Sequence, residues 1–348
     1  MNFSSILGHK RQIEVIRRDM STGQLPPAYL FRGEDGIGKR LAALALAKAL
    51  NCMNPAAGPS EAGLPALPAD SCGVCQSCRN IDSGCHPNVM TIALEINQDT
   101  GKMRQEIVIS QVRAAQEFIS LKAVGGGRKA LIVDDAHLMN EEAMNAFLKT
   151  LEEPPDSSHV ILVSSKPDSL LPTVLSRCRS VGFSTLSEEA VAGLLMERNG
   201  LSHDMALMAA RLTGGRPGDA LAVEPSELVE RRRGALKFIA RLPGLTLAQV
   251  LKEAEKASAE GGALEDIVSF GSAWFRDIMI LSAGADESLA INRDLTDELR
   301  AWVRRIDGWR SEEAIILLEQ TGAALTRTFN RRLTAEDLFL RLKTEVLI

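Results

Sequence analysis

Aromatic residues, net charge and long apolar runs are all scarce in this 348-residue sequence. Aromatic side chains make up 4 %, with Tyr29 as the single tyrosine, and this favours helices over an all-β sandwich. The formal net charge is -5, so composition gives no sign of a basic nucleic-acid-binding face. No run approaches the ~20 apolar residues of a membrane-spanning helix. The opening MNFSSILGHKRQ does not resemble a signal peptide. We therefore expect a soluble, cytoplasmic protein.

The sequence does contain an ordinary globular balance of 45 % hydrophobic and 24 % charged residues. That much apolar material supports a sizeable core and excludes global disorder. At roughly 100–200 residues per domain, the length predicts two or three domains. Five of the six cysteines fall in one short stretch, from Cys52 to Cys85. In a chain expected to be cytoplasmic, such a cluster indicates metal binding before disulfide bonding.

Strand and helix patterns alternate through the first half of the chain and predict an α/β layer with a parallel sheet. Short apolar runs predict four strands, at 28–31, 89–94, 130–133 and 160–163. Helical stretches lie between them, at 40–51, 107–119 and 141–151. Residues 53–71 are rich in proline, alanine and glycine and predict a surface insertion. After Phe183 the pattern is helical and no further strand is predicted.

A glycine-rich turn links the first predicted strand to the helix that follows it. Gly33, Gly38 and Lys39 fit a Walker A loop, and Gly36 adds a third glycine. Backbone N–H groups in such a loop can cradle phosphates, and the lysine adds a positive charge. The pattern then needs a hydroxyl for Mg²⁺, but the next residue is Arg40, whose guanidinium has no acceptor atom.

The predicted strand at 130–133 ends in Asp134, the position of the metal-side carboxylate of a Walker B strand. A glutamate usually follows to orient the attacking water, but here the next residue is the shorter Asp135. Because positioning carries most of phosphoryl-transfer catalysis, we expect nucleotide-binding architecture without efficient hydrolysis. The alternative is a glycine-rich surface turn before an ordinary helix, which the matching strand with Asp134 disfavours.

The cysteine cluster has the spacing of a zinc site. Three thiolates stand at intervals of three residues, on Cys72, Cys75 and Cys78. A structural Zn²⁺ takes four ligands in tetrahedral geometry, so one more ligand must come from elsewhere. Cys52, Cys85 and His86 are the candidates. A group of free thiols is the alternative, and the spacing argues against it. With four thiolates no coordination position stays open for substrate, so we expect a structural role.

Several motifs together resemble AAA+ clamp-loader ATPases. They are FSSILGH at 3–9, NAFLKTLEEPP at 145–155, LSRC at 175–178, and the cysteine cluster followed by GCHPN at 84–88. The resemblance runs over about residues 1–222. It implies a RecA-like parallel-sheet domain at 1–184 that carries a zinc module at 52–86. A small helical lid at 185–226 and an all-helical collar domain at 227–348 would follow.

The resemblance also implies a role for Cys52 and for the glycine loop. The family has a zinc-binding cysteine at the place of Cys52, which makes Cys52 the expected fourth ligand ahead of Cys85. Cys178 is too distant in sequence to be assigned to the metal site, and we expect it to be a buried packing thiol. Motor subunits of the family carry an arginine directly before an Asp-Ala-Leu sequence. In this chain that sequence begins at Asp219, and the residue before it is Gly218. A third nucleotide-handling position is therefore altered, and we expect ATP binding to be weak or absent.

Arg177, in the LSRC motif, resembles the family's arginine finger, which reaches across a subunit interface to the γ-phosphate bound by a neighbour. A guanidinium suits this task because it is always charged and donates two parallel hydrogen bonds. The alternative is a solvated surface arginine. Retention of Arg177 beside the altered Arg40 implies a subunit that completes a neighbour's active site without running its own.

The implied function is a non-catalytic or weakly active clamp-loader subunit in DNA replication. Its partners would be the gamma/tau and delta subunits, with the sliding clamp and primer-template DNA contacted through the complex. An active gamma/tau-like motor is the alternative. A zinc-dependent nucleic-acid-binding module is a third reading, disfavoured because Arg79 is the single basic residue within the cluster and Asp82 opposes it.

Overall fold

The computed structural model describes residues 2–57, 68–96, 101, 103–259, 261–306, 308–325 and 330–347. The chain divides into two compact units. One comprises Met1–Asn199 with Gly215–Asp219, and the other comprises Gly200–Gly214 with Ala220–Ile348. The predicted three-domain boundaries, after residues 184 and 226, stay predictions.

A five-stranded parallel sheet runs through the first unit. In spatial order its strands are β4 (Val89–Ile92), β5 (Lys129–Val133), β6 (Ser158–Ser164), β1 (Ala28–Arg32) and β7 (Arg179–Gly182). All neighbouring pairs are parallel. The α/β class and the four predicted strands are confirmed, whereas β7 was not predicted. A short antiparallel pair, β2 (Ala56–Ala57) and β3 (Pro68–Asp70), lies in the predicted insertion, whose residues 58–67 are outside the described part.

Helices cover both faces of this sheet, so its strands are apolar on both sides. The helices of the first unit are α1 (Lys10–Ser21), α2 (Lys39–Asn51), α3 (Gln76–Asp82), α4 (Ile109–Ser120), α5 (Glu141–Glu152), α6 (Pro172–Leu175) and α7 (Glu188–Asn199). Tyr29 and Phe31 pack in the core on one face, with residues of α1 and α2. Ala28 and Leu30 pack on the other, with residues of α4 and α5. Alternate side chains of β1 therefore belong to different cores.

Capping explains where α5 begins. The side chain of Asn140 accepts a hydrogen bond from the N–H of Ala143 at 2.9 Å. Glu141 and Glu142 place negative charge in the first turn, where the helix dipole favours it. This helix ends directly before the segment that contains Pro154. It thus carries Glu152 to the end of the helix, where that side chain enters the candidate site.

Every secondary-structure element in the described part of the second unit is a helix. Its helices are α8 (His203–Leu212), α10 (Pro225–Arg241), α11 (Leu247–Ala259), α12 (Ala263–Ser282), α13 (Thr296–Val303), α14 (Gly308–Leu325) and α15 (Arg331–Arg341). A π-helical turn, Leu342–Val346, follows α15, and α9 (Pro217–Ala222) begins in the first unit. Gly271 on α12 allows close packing, because an added Cβ would lie 3.1 Å from Ile239 and 3.2 Å from Leu318. No helix in the described residues is long and apolar enough to cross a membrane.

Candidate nucleotide and metal sites

The glycine loop turns between β1 and α2 with a backbone that glycine alone adopts readily. Gly33, Gly36 and Gly38 have φ values of +143°, +73° and +100°. Gly36 is also closely approached, since an added Cβ would lie 2.7 Å from Oδ1 of Asp219. The glycines at these places are therefore required by conformation and by contact.

Lys39 is buried and points back into its own loop. Its Nζ donates hydrogen bonds to the carbonyl oxygens of Gly33 at 2.7 Å and Glu34 at 2.5 Å. Burial lowers the pKa of Lys39, while the nearby Asp35 opposes that shift. The ammonium group that would meet a phosphate is occupied by backbone carbonyls of the chain.

Arg40 forms an ion pair with the carboxylate expected beside a metal. Its Nε lies 3.4 Å from Oδ2 of Asp134, at the end of β5. Burial raises the pKa of Asp134, and the charge of Arg40 acts against that shift. Asp135, the next residue, has a left-handed backbone with φ +50°. Arg40 therefore does more than remove a hydroxyl, because it also contacts the carboxylate that a cation would need.

The start of α9 lies against the same loop. The N–H of Gly218 donates to the carbonyl of Gly36 at 2.7 Å. A Cβ at position 218 would lie 2.8 Å from that oxygen, so a side chain there would collide with the loop. Arg216 forms an ion pair with Asp219 at 3.0 Å. At the position where motor subunits carry arginine, this chain thus has a glycine whose N–H contacts the loop.

Sequence analysis missed a further support of the loop. His9, which is buried, places Nε2 2.8 Å from the carbonyl oxygen of Ile37. Its ring packs edge-on against Phe183, with 4.9 Å between the centroids. Burial lowers the pKa of His9, which favours the neutral ring. Nothing in the sequence pattern indicates this role, and the left-handed backbone at His9 (φ +53°) is visible only in the structure.

Four cysteines that flank the predicted insertion at 53–71 converge, namely Cys52, Cys72, Cys75 and Cys78. The Sγ of Cys52 lies 3.5 Å from that of Cys72, 3.9 Å from that of Cys75 and 3.7 Å from that of Cys78. All four ligand atoms lie within 4.8 Å of one another. Four sulfurs bound tetrahedrally at ~2.3 Å from one ion would be about 3.8 Å apart. The cluster therefore has the dimensions of a Cys₄ metal site.

Backbone N–H groups point at several of these sulfurs. The N–H of Cys72 donates to Sγ of Cys52, and that of Cys75 donates to Sγ of Cys72, both at 3.3 Å. Burial opposes ionisation of Cys75, but N–H bonds from Cys78 and Met53 outweigh it and lower its pKa to about 6. Burial instead raises the pKa of Cys78 to about 12. Sulfurs that accept N–H bonds are suited to the thiolate form that metals bind.

The other candidate ligands lie outside this cluster. Cys85 is exposed, and its Sγ approaches the carbonyl of Ser83 at 3.5 Å. His86 contacts Oγ of Ser77 at 2.9 Å through Nε2, and its Nδ1 accepts from the N–H of Asn88 at 3.1 Å. Cys178 is half-buried against the core that includes α4 and α5, and burial raises the pKa of its thiol to about 12. It is thus less buried than predicted.

Asp70, two residues before Cys72, anchors the cysteine cluster and was not predicted. Its carboxylate accepts hydrogen bonds from the N–H groups of Phe3 and Ser4, both at 2.9 Å, and from that of Ser71 at 2.8 Å. Arg17 lies 3.0 Å away. Burial opposes ionisation, but the bonds from Ser4 and Phe3 lower the pKa of Asp70. The N-terminal turn is therefore fastened to the cluster.

Arg177 follows α6 and is 33 % exposed at its side chain. One guanidinium nitrogen donates to Oε1 of Glu152 at 2.5 Å, and the other donates to the carbonyl of Thr173 at 2.9 Å. The side chain is therefore oriented by contacts on its own subunit while part of it faces solvent. Such an arrangement can be redirected toward an anion, because an exposed ion pair contributes little.

The parallel sheet, the glycine loop and the carboxylate at the end of β5 define a RecA-like domain of the AAA+ class. A family model described as "DNA polymerase III, delta subunit" matches residues 8–187, just over half of the chain. The chain belongs to this family of DNA polymerase III subunits.

Individual relatives agree with that membership. "DNA polymerase III subunit delta'" of Bacillus subtilis is 33 % identical over 231 residues, 66 % of this chain and 63 % of the relative. The subunit of the same name in Escherichia coli is 34 % identical over 196 residues, 56 % and 54 % of the two chains. "DNA polymerase III subunit tau" of E. coli is 29 % identical over 226 residues, 64 % of this chain and 32 % of the relative. The matches thus span from about a third to less than two thirds of these relatives. The predicted resemblance to the clamp-loader family is confirmed.

Replacing Asp70 tests its role as an anchor. Because its folded-state pKa is lowered, Asp70 contributes stability that is present near neutral pH and is lost as pH falls through that pKa. We expect Asp70→Asn to lower the free energy of unfolding of the first unit by about 1–3 kcal/mol at pH 7. The difference from wild type should shrink below about pH 4. Urea denaturation across pH checks this. Exposed Asp156 supplies the control Asp156→Asn, and an equal loss in both variants would contradict the anchor.

Proposed function

We propose that this chain is the delta' subunit of a bacterial DNA polymerase III clamp loader, working in the cytoplasm without running an efficient ATPase cycle of its own. It supplies Arg177 in trans to the ATP site of a neighbouring subunit, so that the sliding clamp is loaded on primed DNA. The observation that carries the proposal is the ion pair between Arg40 and Asp134 in a chain that keeps Arg177 half-exposed.

Four contacts support weak or absent nucleotide binding at the chain's own loop. They are Lys39 on its own loop carbonyls, Arg40 on Asp134, Gly218 on Gly36 and His9 on Ile37. Each contact either occupies a group that a phosphate or Mg²⁺ would need, or holds the loop in its present conformation. The retained glycines Gly33, Gly36 and Gly38, with Lys39 and Asp134, are therefore a degenerate nucleotide site.

Arg177 has the chemistry for stabilising a neighbour's γ-phosphate. Its fork can give two parallel hydrogen bonds, and such a residue supplied in trans contributes about 10³–10⁵ in rate. Glu152 orients the side chain until a phosphate, with more charge than a carboxylate, competes for it.

The partners follow from the proposed complex. The chain would assemble with the gamma/tau and delta subunits, and it would meet the sliding clamp and primer-template DNA through the assembly. Residues 1–184 would be the AAA+ domain with its module at 52–86, 185–226 the lid, and 227–348 a collar that joins sister subunits. The similarity to a tau subunit supports a shared architecture within one complex.

The Cys₄ cluster fits a structural Zn²⁺. The ligands would be the thiolates of Cys52, Cys72, Cys75 and Cys78, and the ion would cross-link the two ends of the insertion. The bound ion supplies no chemistry beyond this cross-link, since four protein ligands fill a tetrahedral site. Asp70 and the N–H groups directed at the sulfurs then hold the module on the domain.

A gamma/tau-like motor is the second candidate, favoured by the tau relative and by the retained Lys39 and Asp134. It requires hydrolysis by the isolated chain at rates typical of a motor. The Arg40 pairing argues against that, because the carboxylate and the hydroxyl that hold Mg²⁺ in such motors are compromised together.

Cysteine variants test the zinc assignment. We expect the purified chain to hold one equivalent of zinc, measured by elemental analysis, and Cys52→Ser to lose most of it because one of four ligands is gone. Cys85→Ser is the matched control and should keep the metal. Zinc loss from Cys85→Ser with retention by Cys52→Ser would overturn the ligand set.

Removing the ion pair between Arg40 and Asp134 should restore some nucleotide binding. Arg40→Thr returns a hydroxyl and releases Asp134, and we expect Mg·ATP to bind about tenfold more tightly than to wild type by calorimetry. Arg40→Gln releases Asp134 without offering a hydroxyl and should gain less. Tight Mg·ATP binding by wild type, or none gained by either variant, would show that Arg40 does not control the site.

Arg177→Ala tests the trans role in the assembled complex. We expect the variant to fold and assemble, and the DNA- and clamp-stimulated ATPase of the complex to fall by at least about tenfold. Arg177→Lys keeps the charge but not the fork and should recover little of the loss. Arg113→Ala removes an exposed arginine of α4 and controls for general disturbance. Unchanged ATPase with Arg177→Ala would refute the finger.

A further inference from the structure

The second unit contains a cavity of about 520 Å³, lined by residues of α8, α10, α12 and α13, that the proposed function does not use. This volume falls within the range of pockets that bind small organic molecules. The walls are largely apolar, and the larger apolar side chains that line it are Met208, Val229, Leu236, Trp274, Leu295 and Trp302.

Two of the three tryptophans of the chain are in these walls. The rings of Trp274 and Trp302 stand perpendicular, with 6.1 Å between their centroids. Trp274 is 2 % exposed, so its ring is fixed by the surrounding core. Rigid aromatic walls of this kind favour a planar apolar group as occupant.

The charges around the cavity favour an anion. Arg233 and Lys237 lie one turn apart on α10, are exposed, and form no ion pair among the residues that the structure describes. Arg232 is already neutralised by Asp294, with nitrogen–oxygen distances of 2.8 and 2.5 Å. Glu298 is the remaining charged residue of the lining. Two free cations against one free carboxylate leave the lining positive.

We propose that this cavity binds an aromatic carboxylate. The aromatic body lies against Trp274, Trp302 and Leu236, and the carboxylate lies toward Arg233 and Lys237. Two sources present this chemistry, a free small molecule and the C-terminal aromatic residue of a peptide. The site is independent of the nucleotide loop and of Arg177, so it stands or falls separately from the proposed function.

Binding is tested on the full chain with 2-naphthoate as probe. Trp309 is 65 % exposed and outside the lining, so Trp309→Phe leaves Trp274 and Trp302 as the tryptophans that report. We expect 2-naphthoate to change their emission saturably and to give heat in calorimetry. Neutral 2-naphthamide should bind more weakly. Equal binding of the amide, or no saturable response at millimolar probe, would overturn the proposal.

Charge variants at the cavity make the test directional. Lys237→Gln should weaken binding of 2-naphthoate by about two- to fivefold, whereas Glu298→Gln should strengthen it by a similar factor. Exposed Lys252 on α11 supplies the matched control Lys252→Gln, which should change nothing. Circular dichroism verifies that each variant is folded. Two charge variants that both match wild type would refute the site.

The source is distinguished by a tripeptide arm. Gly-Gly-Phe with a free carboxylate is compared with its C-terminal amide and with 2-naphthoate. Stronger binding of the free-acid peptide than of 2-naphthoate identifies a peptide terminus as the occupant, and the reverse order identifies a free aromatic carboxylate. Loss of discrimination between acid and amide in both arms would contradict the proposed chemistry.

Discussion

The hydrogen bond from the N–H of Gly218 to the carbonyl of Gly36 is the contact on which the packing of α9 against the glycine loop depends. It requires glycine at both ends, since a Cβ at either position would collide with the opposite segment or its side chain. A side chain at position 218, such as the arginine of motor subunits, would collide with Gly36. In the same loop Lys39 donates to the carbonyl oxygens of Gly33 and Glu34.

The cysteine cluster and the glycine loop are linked through the N-terminal segment. Asp70 binds Phe3 and Ser4, and a few residues later His9 supports Ile37 in the loop. Burial lowers the pKa of His9, and its bond to Ile37 acts against that shift. Burial opposes ionisation of Asp70, but its bonds to Ser4 and Phe3 lower the pKa of that carboxyl. One short N-terminal segment therefore contacts both Asp70, beside the cysteine cluster, and the glycine loop.

Much of the fold could be predicted from the sequence, for identifiable reasons. Strands β1, β5 and β6 are buried on both faces, so each is a short, nearly continuous apolar run. Strand β7 has the sequence RSVG with one buried residue, and such an edge strand carries almost no apolar signal. Helix α3 was not predicted, because it is only seven residues long and contains Cys78, one of the regularly spaced cysteines that indicate metal ligands. The contacts of Asp70 and His9 join residues distant in sequence, which spacing cannot register.

The order of strands in the sheet has a consequence for synthesis of the chain. Strand β1 is synthesised early. Its two partners in the sheet come much later, because β6 begins at Ser158 and β7 ends at Gly182. Until these are made, the apolar strand β1 lacks both of the strands that pair with it. The cysteines, in contrast, are complete by Cys78, so a metal can close the module while the sheet is still unpaired. Metal supply during translation would then influence how long aggregation-prone segments stay exposed.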